Sequence, residues 1–373
     1  MDKLLALRGG AEAVALFAQL SSVGDVVAGI SLAGLGGGLA VLVAQEANAE
    51  RRRELLRAAL SIGLALSLAA ALAVLAAALA VGSGILPLGI VAAAALVGWI
   101  AVVPGLLNNY WVGRERRDAQ LALAAFGLLV GVAAAAWAPP GRILEWLLAA
   151  QAAPALALAL VWRRRSGPPL DARQAAALRR FILPSIAIGV LSPASMLAAR
   201  ALVAGALSWH DAGVLQALWR VSDWIWSFAS GVLGVLYLAQ MGSAHQRGEL
   251  PQVIRAATRA VLLPSALLFA LLIAFHGPVI ALLYDDSFEV SGAAAALFFA
   301  GGVLRVASWI PLFGLYAMSR TRAIALGELL SLPLFVGLLA LCGDGLTLEL
   351  AGAAWALSFL AYALFNYWAM RRR

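Results

Sequence analysis

Six charged side chains lie within stretches otherwise apolar enough to cross a bilayer: Asp25, Arg200, Arg220, Asp223, Arg305 and Glu328. A charge at membrane depth costs several kcal/mol, so each must face protein or a water-filled cavity. The three arginines all fall in the second half of the chain. A guanidinium fork binds phosphate oxygens bidentately and keeps its charge when desolvated. Arg305, Arg220 and Arg200 are therefore candidate ligands for a phosphate or pyrophosphate group that sheds its hydration. The three carboxylates, Asp25, Asp223 and Glu328, are candidates for ion pairing, for carrying a proton or for holding a cation. A purely architectural reading is also open, in which the six form ion pairs that lock helices together. Arg220 and Asp223 are three residues apart on one helical face and make the obvious local pair.

The helix that must position two of these charges runs from Trp209 to Gln240. One side carries Gln216, Trp219, Arg220, Asp223, Ser227 and Ser230; the other sides carry Val214, Leu218, Val221 and Ile225. This is a membrane helix with a polar seam. Trp219, Trp224, Trp226, Trp309 and Trp355 lie deep in spans, where they either pack or stack on sugar rings. Gln19, Gln216, Trp219 and Trp309 are the candidate polar and aromatic lining of a cavity.

The composition is 63% hydrophobic and 12% charged, against about half and a quarter in a soluble domain. The chain is a polytopic membrane protein. A net charge of +8 would suggest nucleic acid in a soluble chain, but here the basic residues cluster in short connections and set orientation, so no nucleic-acid partner is expected. One cysteine and three scattered histidines offer no metal-ligand spacing, and neither a metal nor a cofactor is expected. Asp285 and Asp286 are read as solvated acids of an outer loop. Gly34 to Gly38 lacks the strand and Lys-Ser of a phosphate loop and reads as a bend or a close helix contact.

Against the requirement for about 20 apolar residues per span, eleven spans emerge. They are Ala13 to Gln45, Ala58 to Val81, Leu86 to Val112, Ala119 to Trp137, Ile143 to Trp162, Phe181 to Leu207, Ala212 to Met241, Ala260 to Leu283, Val290 to Met318, Ala323 to Leu341 and Leu350 to Met370. Arginines crowd every second connection, which places the C-terminus in the cytoplasm. The expected architecture is all-α, a helical bundle with an N-terminal lobe of five spans (1–162), a basic cytoplasmic linker (163–180) and a C-terminal lobe of six spans (181–373). Asp25 and Asp223 sit in faintly parallel contexts about 197 residues apart, as repeated transporter lobes would. Pro184 and Pro193 are candidate hinges in span six.

The run Ala-Gly-Val-Leu-Gln-Ala-Leu-Trp-Arg-Val-Ser-Asp, Ala212 to Asp223, resembles the seventh-to-eighth helix junction of bacterial O-antigen flippases. These form the polysaccharide-transporter branch of the MOP superfamily. Gly10 to Gln19, Gly302-Val-Leu-Arg305-Val-Ala-Ser-Trp309, Tyr316 to Arg322 and the Gly-Glu-Leu-Leu around Glu328 extend the resemblance over most of the chain. It implies a MATE-like two-lobe fold with a cationic cavity, in the bacterial inner membrane. It also implies an undecaprenyl-diphosphate-linked glycan as cargo, alternating access as the mechanism, H+ or Na+ as coupling ion, and a polymerase or ligase complex of the same pathway as partner. Family members carry a helix ahead of the stretch that Gly10 to Gln19 matches, so a first helix is expected to be missing.

Two other classes compete. A membrane-embedded glycan ligase or polymerase of the same pathway would need a sizeable outer loop, and the outer connections here are short. A MATE-like drug or cation antiporter would sit poorly with three interior arginines. On the leading reading the protein is not an enzyme, because no bond is made or broken.

Overall fold

In hydrocarbon every backbone N–H and C=O must be satisfied within its own segment, and long apolar runs meet that demand as helices. The computed structural model describes residues 2–81, 87–139, 141–162, 176, 178, 182–318 and 320–372, and among them no strand occurs. Helices α1 (Asp2–Ser31), α2 (Gly37–Gln45), α3 (Ala49–Val81), α4 (Leu88–Gly113), α5 (Arg117–Trp137) and α6 (Ile143–Trp162) make up the first part. Then follow α7 (Ile182–Ala206), α8 (Trp209–Val232), α9 (Leu238–Arg247), α10 (Leu250–Ala257) and α11 (Leu263–Ala274). The chain ends with α12 (His276–Leu283), α13 (Gly292–Ala317), α14 (Thr321–Glu328), α15 (Leu332–Cys342) and α16 (Leu348–Arg371).

Among the described residues nine helices are long and apolar enough to cross a membrane, or ten if the pair at Trp209–Tyr237 and Gln240–Arg247, bent by 50°, is one span. Ile143–Leu158 is a shorter apolar helix. The eleven expected spans thus resolve into these helices, with different ends.

The first span differs most. Hydropathy places its start at Ala13, yet α1 begins at Asp2 and is interrupted at Gly10, whose φ of 67° takes it out of helical geometry. Glycine reaches that region without the Cβ penalty other residues meet. Before the break, Arg8 donates to the carbonyls of Ala135 (2.7 Å), Ala136 (2.8 Å) and Ala138 (2.5 Å). These are acceptors left over at the C-terminus of α5, where a cation is also favoured by the helix dipole.

Helix starts and breaks follow from local chemistry. Ser208, Ser291 and Thr347 cap α8, α13 and α16 by accepting from the N–H of Asp211, Ala294 and Leu350. Three π-helical turns, Leu32–Gly36, Leu233–Tyr237 and Thr258–Leu262, interrupt otherwise continuous helices. The last directly precedes Pro264, whose ring clashes with the carbonyl four residues earlier. Pro333 likewise follows the break between α14 and α15, where the Ser331 hydroxyl donates to the Glu328 carbonyl at 2.6 Å. Pro193 lies within α7.

The chain divides into two compact units, 1–9 with 16–197, and 10–15 with 198–373. The boundary falls inside α7, whereas the sequence pattern begins the second lobe at residue 181; of the expected linker 163–180, only 176 and 178 are described. In the first unit, glycines bring α1 against its neighbours. A Cβ on Gly98 would lie 2.7 Å from the Gly24 Cα, and one on Gly29 would collide with the Gly189 backbone. This close approach is how helices gain packing where lipid supplies no hydrophobic drive. The glycine run of span one, expected to bend or to pack closely, contains the π-turn Leu32–Gly36, and a Cβ on Gly36 would lie 2.7 Å from the Asn109 side chain. In the second unit, Trp219, Phe298, Phe335 and Trp355 form a buried aromatic core, with Phe298 and Trp355 stacked at 5.0 Å.

Candidate functional site

The polar seam of α8 points one carboxylate at another helix. Asp223 accepts from Arg305 of α13 at 2.5 Å, across 82 residues of sequence. Their side chains are 30% and 13% exposed. The Arg305 guanidinium lies 4.2 Å from the ring centre of Trp226, 5.6 Å from Trp355 and 5.7 Å from Phe359. Three aromatic faces thus support one cation, each a favourable quadrupole contact that strengthens on desolvation. Glycines make the arrangement possible: a Cβ on Gly301 would collide with the Trp355 ring, and one on Gly302 would lie 2.6 Å from Phe269.

Around this pair the interior is rich in donors. The indole N–H groups of Trp219, Trp226 and Trp355 and the hydroxyl of Ser222 are buried without a hydrogen-bond partner among the described residues. Such groups are rare in native interiors and call for an explanation.

The sequence-derived residues divide as follows. Arg305 and Asp223 come together. Arg200, only 2% exposed, donates to Gln216 at 2.7 Å and lies 5.9 Å from the Trp219 ring centre. Trp219 is fully buried in the aromatic core. Trp309 is half-buried and meets Trp226 edge-on at 4.8 Å. Arg220 is half-buried on α8, one turn before Asp223. The partner the structure gives Asp223 is Arg305, on α13, where helical spacing alone pairs it with Arg220. Glu328 accepts from the Tyr362 hydroxyl at 2.8 Å, beside Asn366, whose amide donates to the Ser308 carbonyl at 3.2 Å.

The first unit holds a separate feature. A cavity of about 400 Å³ is lined by Asp25, Ser21 and Gln151 together with small residues such as Gly24, Gly98, Gly127 and Gly131. Gln151 donates to the Ser21 hydroxyl at 3.1 Å. Gln19, two residues before Ser21, is buried and donates to the Leu197 carbonyl at 3.1 Å. Among the described residues no cluster of three or more potential metal ligands occurs. In the loop before α13, Asp285 accepts from the Ser287 N–H at 2.6 Å, and the Ser287 bonds hold its carboxyl below the usual range.

Trp226 and Trp355 stand out in the sequence as deep tryptophans, but not their place around Arg305. Several other residues of these sites are missed by reading the sequence. Ser21 precedes Asp25 by four and was legible as a same-face neighbour. Phe359, Tyr362 and Gln151 come from distant helices and carry no local signal.

The chain shares its two-lobe helical fold with solved MATE transporters and with a lipid II flippase. A multidrug resistance MATE family transporter in its inward-facing conformation matches at TM-score 0.74 and 14% identity, covering 99% of this chain and 92% of that one. Lipid II flippase MurJ, in an inward closed conformation, matches at TM-score 0.66 and 12% identity, covering 100% and 84%. A multidrug resistance MATE family transporter in an outward-facing conformation matches at 0.62 and 14% identity, covering 99% and 89%. No family model and no curated protein sequence matches the chain.

Proposed function

We propose that the protein is a flippase that carries an undecaprenyl-diphosphate-linked oligosaccharide, an O-antigen or related surface-polysaccharide repeat unit, across a bacterial inner membrane by alternating access. The observation that carries this reading is Arg305, an aromatic-caged cation held inside the second unit against a single carboxylate. A pyrophosphate entering there competes with Asp223 for the same guanidinium fork and brings more charge than the carboxylate it displaces. Asp223, once released, becomes a station for the coupling ion, which ties cargo to that ion. The half-buried indoles of Trp226 and Trp309 are the ring faces nearest to hand for sugars. Arg220 adds a second cation one turn away. Arg200, sealed against Gln216, acts at longer range and ranks last.

Asp25, at the first unit's cavity with Ser21 and Gln151, and Glu328, beside Tyr362, are the other candidate stations for H+ or Na+. No covalent step is involved, so the protein is not an enzyme. The C-terminus faces the cytoplasm, and a polymerase or ligase of the pathway is the candidate partner. The fold shared with a protein named as a lipid II flippase supports the reading.

Expression in a strain deprived of its own O-antigen flippase should restore surface glycan. Membrane-inserted protein that leaves the surface bare defeats the proposal. A second reading, export of a drug or cation, is favoured by Asp25 at its cavity and by the fold shared with MATE transporters. It expects lowered drug accumulation in the same cells and no glycan.

A further inference from the structure

The second unit holds a pocket whose lining shares no residue with the surroundings of Arg305. It has a volume of about 600 Å³ and is walled by α10, the π-turn Thr258–Leu262 and the last turn of α16. That volume falls within the range of about 300–1,000 Å³ usual for ligand sites. Its polar lining is Arg255, Thr258, Tyr367 and Arg371, and its apolar lining includes Leu250 and Met370. Among the described residues no acid lines it. The nearest acid in sequence, Glu249, is tied to Arg247 at 2.7 Å. The Thr258 hydroxyl donates to the Ile254 carbonyl at 2.8 Å, so the charge the pocket offers a ligand is that of the two guanidinium forks.

We propose that this pocket binds the headgroup phosphate of an anionic phospholipid. Helix α10 is amphipathic: Leu250, Ile254 and Ala257 are buried while Gln252, Arg255 and Ala256 are exposed. Such a helix belongs in the headgroup layer. The two arginines mark the end of the spans where basic residues concentrate, and basic pockets between spans on that side select anionic headgroups. The helices that wall the pocket run on into hydrocarbon with exposed Leu263 and Leu267 on α11 and exposed Leu360 and Leu364 on α16. Those side chains are suited to acyl chains. A free phosphate would use the arginines but none of this apolar surface. The inference does not depend on what the protein transports.

The test uses the full-length protein in a neutral detergent, titrated with short-chain phosphatidylglycerol, phosphatidylcholine or inorganic phosphate, with binding followed by native mass spectrometry and by the thermal unfolding midpoint. Phosphatidylglycerol should bind saturably and raise the midpoint; phosphatidylcholine and inorganic phosphate should not. Replacing both Arg255→Gln and Arg371→Gln should weaken phosphatidylglycerol about 30-fold, from about 1 kcal/mol per basic residue. The midpoint in phosphatidylcholine should stay at the wild-type value, showing that the variant folds. Arg322→Gln, an exposed arginine outside the pocket, should leave phosphatidylglycerol binding intact. Unchanged phosphatidylglycerol affinity in the double variant, an equal loss in Arg322→Gln, or equal binding of inorganic phosphate would each overturn the assignment.

Discussion

Arg305 is where stability and the proposed transport meet. Its pairing with Asp223 neutralises a charge that the aromatic cage alone cannot hold cheaply. Removing the carboxylate leaves the guanidinium partly buried and without its ion-pair partner, which is the expensive way to break such a pair. Both groups keep some exposure, so Asp223→Ala should destabilise the protein by about 1–3 kcal/mol. The double variant Asp223→Ala/Arg305→Ala should lose less than the sum of the singles; a double-mutant cycle from unfolding midpoints measures the difference. Additive losses would mean that the two groups are not coupled. At this scale the sequence was half legible. All six charges within the expected spans stood out because charge is costly in an apolar run; in the structure Asp25 is exposed. Their partners did not, because helical periodicity sees only neighbours three or four residues away, and Arg305 lies 82 residues from Asp223.

At the scale of elements, α13 and α16 owe their contact to small residues facing large ones. Gly301 admits the Trp355 ring, and its added Cβ would also come within 3.0 Å of the Ala356 backbone nitrogen. Gly301→Ala should cost about 1–3 kcal/mol through overpacking and should shift the Trp355 ring that supports Arg305. A Cβ on Gly337, within α15, would meet nothing within 4 Å. Gly337→Ala should be neutral or stabilise by about 0.5–1 kcal/mol through helix propensity. Thermal unfolding of the two variants in one detergent compares them directly. The span pattern was well legible, since hydropathy and basic connections mark the helices, though not their ends. The break at Gly10 and the helical segment before it were not, because the carbonyls that Arg8 satisfies belong to α5, more than a hundred residues away.

For the whole molecule, the proposal has the basic connections set orientation and the charges within the spans set cargo. If the C-terminus is cytoplasmic, the single cysteine, Cys342, half-buried at the end of α15, lies near the outer face. A thiol reagent that cannot cross the inner membrane should label Cys342 in intact cells. In a Cys342→Ser background, Gln246→Cys on exposed α9 should react only after permeabilisation. The reverse pattern would invert the topology. Fold class was legible from composition and span count, and two-lobe transporters share it. Cargo was not legible to the same degree, because the same bundle serves different solutes and only a few interior side chains distinguish them.

Those side chains can be put to the proof in proteoliposomes loaded with a labelled undecaprenyl-diphosphate oligosaccharide, with the rate at which label reaches the opposite leaflet as readout. Wild-type protein should flip the lipid, and Arg305→Ala and Arg220→Ala should each abolish movement while remaining folded and inserted. Wild-type rates in both variants would contradict an anionic cargo held by these guanidinium groups.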